Sequence, residues 1–257
     1  MRDPATADIQ RLDRGDGVAL AYRRQPGDGP TVVFLHGFMS DMGGGKAEAL
    51  AGHLAARGQA YVRLDCSGHG ASGGAFTDGT IGRWRDDVLA VLDAATTGPL
   101  LLVGSSMGGW LALLVALARP ERVAGLVLLA AAPDFTDWGL FASLDEAQQA
   151  RLARDGQVAV PSAYGPDPYV YTRALFEDGA RHRLLDKPIP FAGPVRLLQG
   201  QRDPDVPWRL ALDIADRLTS DDVRIQLLKD GDHRLSREAD LALLCATVDE
   251  LTATLRG

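Results

Sequence analysis

Leu100-Leu101-Leu102-Val103-Gly104-Ser105-Ser106-Met107-Gly108-Gly109-Trp110 is the stretch on which the reading of this chain turns. An apolar run stops at a glycine, two serines follow, and a second apolar stretch continues from Trp110 to Ala118. That order is strand, sharp turn, helix, the setting in which the middle serine of G-x-S-x-G is held on a strained elbow above a sheet edge. Ser106 is therefore the candidate nucleophile. The competing reading is a plain glycine-rich turn, in which Gly108 and Gly109 merely let the helix pack close to the sheet.

Working outward, the flanking segments alternate in type. Gly17 to Arg24 and Thr31 to His36 read as strands, the first half-exposed, the second a continuous apolar run suited to burial on both faces. A helix from about Lys46 to Arg57, a strand Ala60 to Asp65 and a helix capped by Thr80 lead to the elbow. After it come the helix Met107 to Ala118 and the strand Val123 to Ala131. The alternation then breaks between Pro133 and Pro190, where helix-like pieces carry the aromatic residues Phe135, Trp138, Phe141, Tyr164, Tyr169, Tyr171 and Phe176. It resumes with strands Val195 to Gln199 and Val223 to Leu228 and helices Trp208 to Leu218 and Ser236 to Leu255. Such order predicts one α/β domain over residues 1–257, with a mostly parallel central sheet, helices on both faces, and a lid insertion at about 133–190 over the ligand-binding edge.

Composition narrows the partners. At 257 residues and 46% hydrophobic content the chain can bury one large core. A net charge of −7 disfavours nucleic acid or an anionic membrane surface as a partner, and no apolar stretch approaches the ~20 residues needed to span a bilayer. Cys66 and Cys245 read as small core residues without a disulfide. Residues 1–10 show neither the apolar core of a secretory signal nor the Arg-rich, acid-poor character of a transit peptide, which predicts a cytoplasmic protein.

A serine hydroxyl needs a base to take its proton and a carboxylate to orient that base. Of the five histidines, His233 lies in a short loop between the last strand and last helix, at the sheet edge that holds Ser106. His36 ends a central strand and is expected to pack or hydrogen-bond within its loop; His53 falls on a helix surface, His69 in a glycine-rich turn and His182 in the insertion. For the acid, Asp203 follows a strand end most closely, Asp205 fits as the cap of the helix entered at Pro207, and Asp134 is the outside alternative. Oxyanion donors are expected from the backbone N–H of Met107 and of Phe38, with Met39 as the fallback. The histidines and cysteines show no metal-ligand spacing, and no cofactor is expected.

These segments resemble a known family. His36-Gly37-Phe38, Asp65-Cys66-Ser67-Gly68-His69-Gly70, Gly104 to Gly108, Asp203-Pro204-Asp205-Val206-Pro207-Trp208 and Gly231-Asp232-His233-Arg234 look like the motifs of α/β-hydrolase fold serine hydrolases. With Gly82-Arg83-Trp84-Arg85-Asp86-Asp87 and Val195 to Gly200 added, the chain is similar from about Leu20 to Leu251 to the mitochondrial palmitoyl-protein thioesterases, also described as mycophenolic acid acyl-glucuronide esterases. The resemblance implies Ser106, Asp203 and His233 as a triad that hydrolyses thioesters or activated acyl esters. The implied partner is a small ester or acyl thioester, or an acylated protein. Amide, peptide or carbon–carbon bond hydrolysis on the same triad, and a non-catalytic ligand-binding homologue, are the alternatives.

Overall fold

The computed structural model describes residues 8–161 and 168–256. Tyr164 of the insertion lies outside the described residues. In chain order the elements are β1 Gln10–Asp13, β2 Ala19–Gln25, β3 Asp28–Leu35, α1 Gly45–Ala56, β4 Gln59–Leu64, α2 Ile81–Ala95, β5 Leu100–Ser105, α3 Met107–Ala118 and β6 Val123–Leu129. The insertion follows with α4 Glu146–Asp155, β7 Gln157–Val160, β8 Tyr169–Thr172 and α5 Arg173–Arg181. The chain then closes through β9 Val195–Gly200, α6 Leu210–Arg217, β10 Val223–Leu228 and α7 Glu238–Thr254.

Eight strands form one sheet in the order β1-β2-β4-β3-β5-β6-β9-β10. The β1–β2 and β2–β4 pairs are antiparallel; β4–β3 and every later neighbour pair is parallel. Alternate residues of the central strands point to opposite faces, as a pleated strand requires. Val33, Leu35, Leu100 and Leu102 pack with Trp84 of α2, Trp110 of α3 and Ile214 of α6. On the other face Val32, Phe34, Leu101 and Val103 pack with Leu50 of α1 and with Leu244, Val248 and Leu251 of α7. Cys66 belongs to the first layer, Cys245 borders the second, and both are free thiols.

The sequence-based boundaries hold for most elements, with instructive exceptions. Thr80 caps α2, its hydroxyl accepting from Arg83 N–H at 3.2 Å. By contrast, α6 starts at Leu210, and its N-cap, Arg209, makes no side-chain cap bond, so Asp205 is not the helix cap expected there. β1 and the antiparallel β7–β8 pair are additions to the predicted set.

The insertion is fastened to the sheet at its entrance. Asp134, at φ 59°, accepts from Leu184 N–H and Leu185 N–H at 2.9 Å each, so the start and end of the insertion meet on one buried carboxylate. Further on, Asp178 accepts from Gly82 N–H at 2.6 Å, and Trp110 Nε1–H donates to His182 O at 3.2 Å. Truncating Asp134 leaves two N–H groups without their acceptor. Asp134→Ala is therefore expected to lower the unfolding free energy by about 3 kcal/mol, read as a fall in the urea midpoint at constant slope. An unmoved midpoint would mean that the insertion is held without this carboxylate.

Candidate active site

The loops that follow β3, β5, β9 and β10 all emerge at the carboxyl edge of the parallel sheet, where such folds bind ligands. Ser106 stands between β5 and α3 with φ 55° and ψ −118°, a conformation that L-residues avoid and that costs about 1–3 kcal/mol. Its backbone is pinned from both sides: Ser106 N–H donates to Leu129 O at 2.9 Å, and Ser106 O accepts from Ala132 N–H at 3.1 Å and Gly109 N–H at 2.9 Å. A side chain at Gly108 would run into the carbonyl of Leu35, so this turn needs glycine there to sit against β3. Met107 is the first residue of α3, and its N–H has no acceptor within the helix.

The β9 and β10 loops are joined backbone to backbone. Arg202 N–H donates to Gly231 O at 2.9 Å and Gln201 N–H to Leu228 O at 2.8 Å. Gly200 lies so close to Gly231 that any side chain would meet its carbonyl. This contact brings Asp203 to His233, with Oδ2 and Nδ1 2.9 Å apart. The Asp203 side chain is fully buried, and its hydrogen bonds are saturated: Oδ1 accepts from Asp205 N–H and Val206 N–H at 2.8 Å, and Oδ2 also accepts from Gln199 Nε2–H at 3.1 Å. A carboxylate so held fixes the imidazole, leaving Nε2 for other work.

Asp205, Asp203 and His233 offer ligand atoms within 4.8 Å of one another, but a cation there would compete with these donors for both Asp203 oxygens. Asp134 is committed to Leu184 and Leu185 of the insertion, and burial raises its pKa. It is a structural anchor.

Ser106 and His233 line one cleft of about 770 Å³ together with Phe38 and Met39. No hydrogen bond joins the Ser106 hydroxyl to His233 among the described residues, and such bonds commonly tighten only when substrate binds. Phe135, Trp138, Leu140, Tyr169 and Tyr171 of the insertion form one wall of the cleft. Phe38 joins that wall to the core. Its ring packs against Phe76, Trp84, Phe135, Tyr169 and Tyr171 at centroid separations of 5.1 to 6.3 Å. A second depression, of about 540 Å³ between Arg57, Gln59, Asp249, Thr252 and Arg256, is lined by neither serine, cysteine nor histidine.

The loop carrying Phe38 is braced by residues to which the sequence reading gave no role. Ser40 N–H closes a turn onto Gly37 O at 3.2 Å, with Met39 at φ 55°. Asp65 Oδ1 accepts from Met42 N–H at 2.6 Å and Arg63 donates to Met42 O at 3.0 Å, so Met42 is gripped at both backbone groups. Asp65 Oδ2 accepts from Ala71 N–H at 2.8 Å, and burial raises the pKa of this carboxyl. His36 Nε2 accepts from Cys66 N–H, in the segment after β4, at 3.1 Å, which leaves Nδ1–H to donate within its own loop, as expected, to Gly37 O at 2.8 Å. That assigns the neutral tautomer, in keeping with a pKa that burial lowers. His69, 4.9 Å from the His36 ring, is pushed down to about 3, by burial first and by His36 second. His53 reaches Asp249 of α7 at 3.0 Å, and His182 ends α5. Both lie outside the cleft lining.

Comparison with known proteins agrees with this architecture. The family model described as Hydrolase_4, serine aminopeptidase S33, matches residues 29–163. The palmitoyl-protein thioesterase ABHD10, mitochondrial, of Mus musculus is 41% identical over 249 residues, covering 95% of this chain and 82% of the relative. Among solved structures, a putative hydrolase from Agrobacterium vitis S4 superposes with a TM-score of 0.91 at 40% identity, over 95% of this chain and 98% of the other. The mouse α/β hydrolase domain-containing protein 10 does so with a TM-score of 0.89 at 40% identity, over 97% and 100%. The expectation of a cytoplasmic protein is contradicted by the naming of the mouse relative as mitochondrial. The composition of residues 1–10, on which that expectation rested, does not decide location. By fold, by family model and by identity over nearly its whole length, the chain is a hydrolase that belongs to the α/β-hydrolase family.

Proposed function

We propose that this hydrolase cleaves carboxylic esters or thioesters through a covalent acyl-enzyme on Ser106. The observation that carries the reading is the Asp203–His233 pair at 2.9 Å, buried on the carboxylate side and opening on the imidazole side into the cleft that Ser106 lines. His233 Nε2 takes the Ser106 proton as the hydroxyl adds to the acyl carbonyl, and Asp203 stabilises the imidazolium formed. The negative oxygen is received by the N–H groups of Met107, at the positive end of α3, and Phe38. His233 returns the proton to the leaving thiol or alcohol, then activates a water that releases the acid and frees Ser106. In this reading the insertion is a lid on one α/β domain, and its aromatic wall with Phe38 receives an apolar acyl chain. The name of the mouse relative, a palmitoyl-protein thioesterase, supports a thioester and a long chain.

A fluorophosphonate probe tests the nucleophile directly. The wild type is expected to be labelled at Ser106 and Ser106→Ala to remain unlabelled; labelling that survives in the variant would refute the assignment. With p-nitrophenyl esters of increasing length, kcat/KM is expected to rise up to about fourfold per methylene, the equivalent of ~0.8 kcal/mol of burial, until the wall is filled. The description of the family model as a serine aminopeptidase favours a second reading, amide cleavage. Matched p-nitroanilides hydrolysed faster than the esters would select it.

A further inference from the structure

Gln199 is a polar residue where the strand pattern calls for an apolar one. It lies on β9 two positions after Leu197, so its side chain is directed to the layer that holds Leu197 and Val206, and the residue is 1% exposed. A buried amide costs free energy unless its hydrogen bonds are met, and packing alone would be served by leucine or methionine without that cost. The bonds of Gln199 are met at the acid of the site. Nε2 donates to Asp203 Oδ2 at 3.1 Å, with Gly200 O at 3.3 Å and Val206 O at 3.5 Å as its other acceptors. Three oxygens surround this end of the amide, which identifies it as the NH₂ group. The contact falls on the oxygen that matters. Oδ1 of Asp203 is held by the N–H groups of Asp205 and Val206 at 2.8 Å each, whereas Oδ2 is the oxygen 2.9 Å from His233 Nδ1. Among the described residues, Gln199 is the other donor to that oxygen. The carboxylate is thus fixed at both ends, and the charge that faces the imidazole is divided between two donors.

We propose that Gln199 is a positioning residue of the hydrolytic site: it fixes Oδ2 of Asp203 as the backbone fixes Oδ1, so that His233 meets an acceptor of set direction and moderated charge. The proposal rests on the reading of Ser106, His233 and Asp203 given above. Gln199 does not line the cleft, so it acts on the reaction through Asp203 and not by touching substrate. Its removal has two consequences. The carboxylate loses one of its restraints, and the imidazolium gains a stronger partner, because the whole charge on Oδ2 then faces Nδ1.

The test is the pH dependence of kcat/KM on one p-nitrophenyl ester, whose acidic limb reports protonation of the base in the free enzyme. Gln199→Met keeps the length of the side chain and drops the donor; Gln199→Asn keeps the amide and drops the reach. Both are expected to lower kcat about tenfold with KM little changed, and to move the acidic limb about half a unit to higher pH. The charged groups around the pair, Asp41, Lys46, Asp205 and Arg234 of the cleft and Arg202 and Asp232 of the two loops, are the same in every variant. A difference between profiles therefore reports Gln199. In an Asp203→Ala background, Gln199→Met is expected to change kcat/KM little further, since its effect travels through the carboxylate. A limb that stays in place in either variant overturns the proposal whatever the plateau rate does, because a loosened fold loses rate at every pH alike. An effect that persists undiminished in the Asp203→Ala background overturns it as well. Both of these results leave the hydrolase reading standing. No hydrolysis by the wild type, with no fluorophosphonate labelling at Ser106, overturns both readings.

Discussion

Ser106→Ala is expected to lower kcat about 10⁶-fold, His233→Ala to do the same, and the double variant to lose little more. Serine and imidazole act as one unit: without the base the hydroxyl is a poor nucleophile, and without the hydroxyl the base has no proton to take. What survives is the contribution of binding and of the oxyanion donors, which neither substitution touches. Single-turnover and steady-state rates on one p-nitrophenyl ester provide the measurement. Losses that multiply in the double variant would show that the two side chains act independently, against the proposed mechanism.

Asp203→Asn is expected to lower kcat about 10⁴-fold, and the hydrogen bonds around this position supply the reason. Oδ1 accepts from two backbone N–H groups, those of Asp205 and Val206, so the oxygen of an asparagine amide must remain there. The NH₂ group then occupies the place of Oδ2, facing Gln199 Nε2–H and His233 Nδ1. Meeting a donor, Nδ1 must become an acceptor, which puts the proton on Nε2 and leaves no base for Ser106. Raising the pH cannot restore the tautomer, so the loss is expected to persist across the pH–rate profile. Asp205 is exposed, and the bond that orients His233 Nδ1 comes from Asp203, so Asp205→Asn is expected to remain within a few-fold of wild type. Reversal of the two results would transfer the orienting role to Asp205.

The central parallel strands were legible because they are short apolar runs entered from a proline or ended at a glycine; β3 is buried over its last six residues and β5 along its whole length, as such runs predict. β1 was not, because four largely exposed residues, Gln10–Asp13, carry no apolar pattern at all. The β7–β8 pair joins Val160 to Tyr169 in register, and so wide a separation offers none of the two-residue turn signatures by which a hairpin is recognised in sequence. At the site, the elbow could be read because its glycines and its strand-to-helix context are local. The partnership of Asp203 with His233 depends on a contact between Gly200 and Gly231, 31 positions apart, and only the strand-end place of each residue and the family resemblance pointed to it. Asp205 is of the right type to cap a helix, but the helix begins five residues later. Asp65 stood in a quoted motif without a role and Arg63 gave no signal, since their work is to grip the backbone of Met42, and a backbone group has no letter in the sequence.

The double duty of Phe38 has a mechanical consequence. The side chain that helps to shape the aromatic wall and the N–H proposed to meet the developing charge belong to one residue, on a turn held by Ser40 and Met42. On the proposed function, fit and speed are thereby linked: a chain that seats firmly against the ring also steadies the donor behind it. Selectivity for length is then written partly in turnover, as binding energy from an unreactive tail expressed at the reacting carbon, and not in affinity alone.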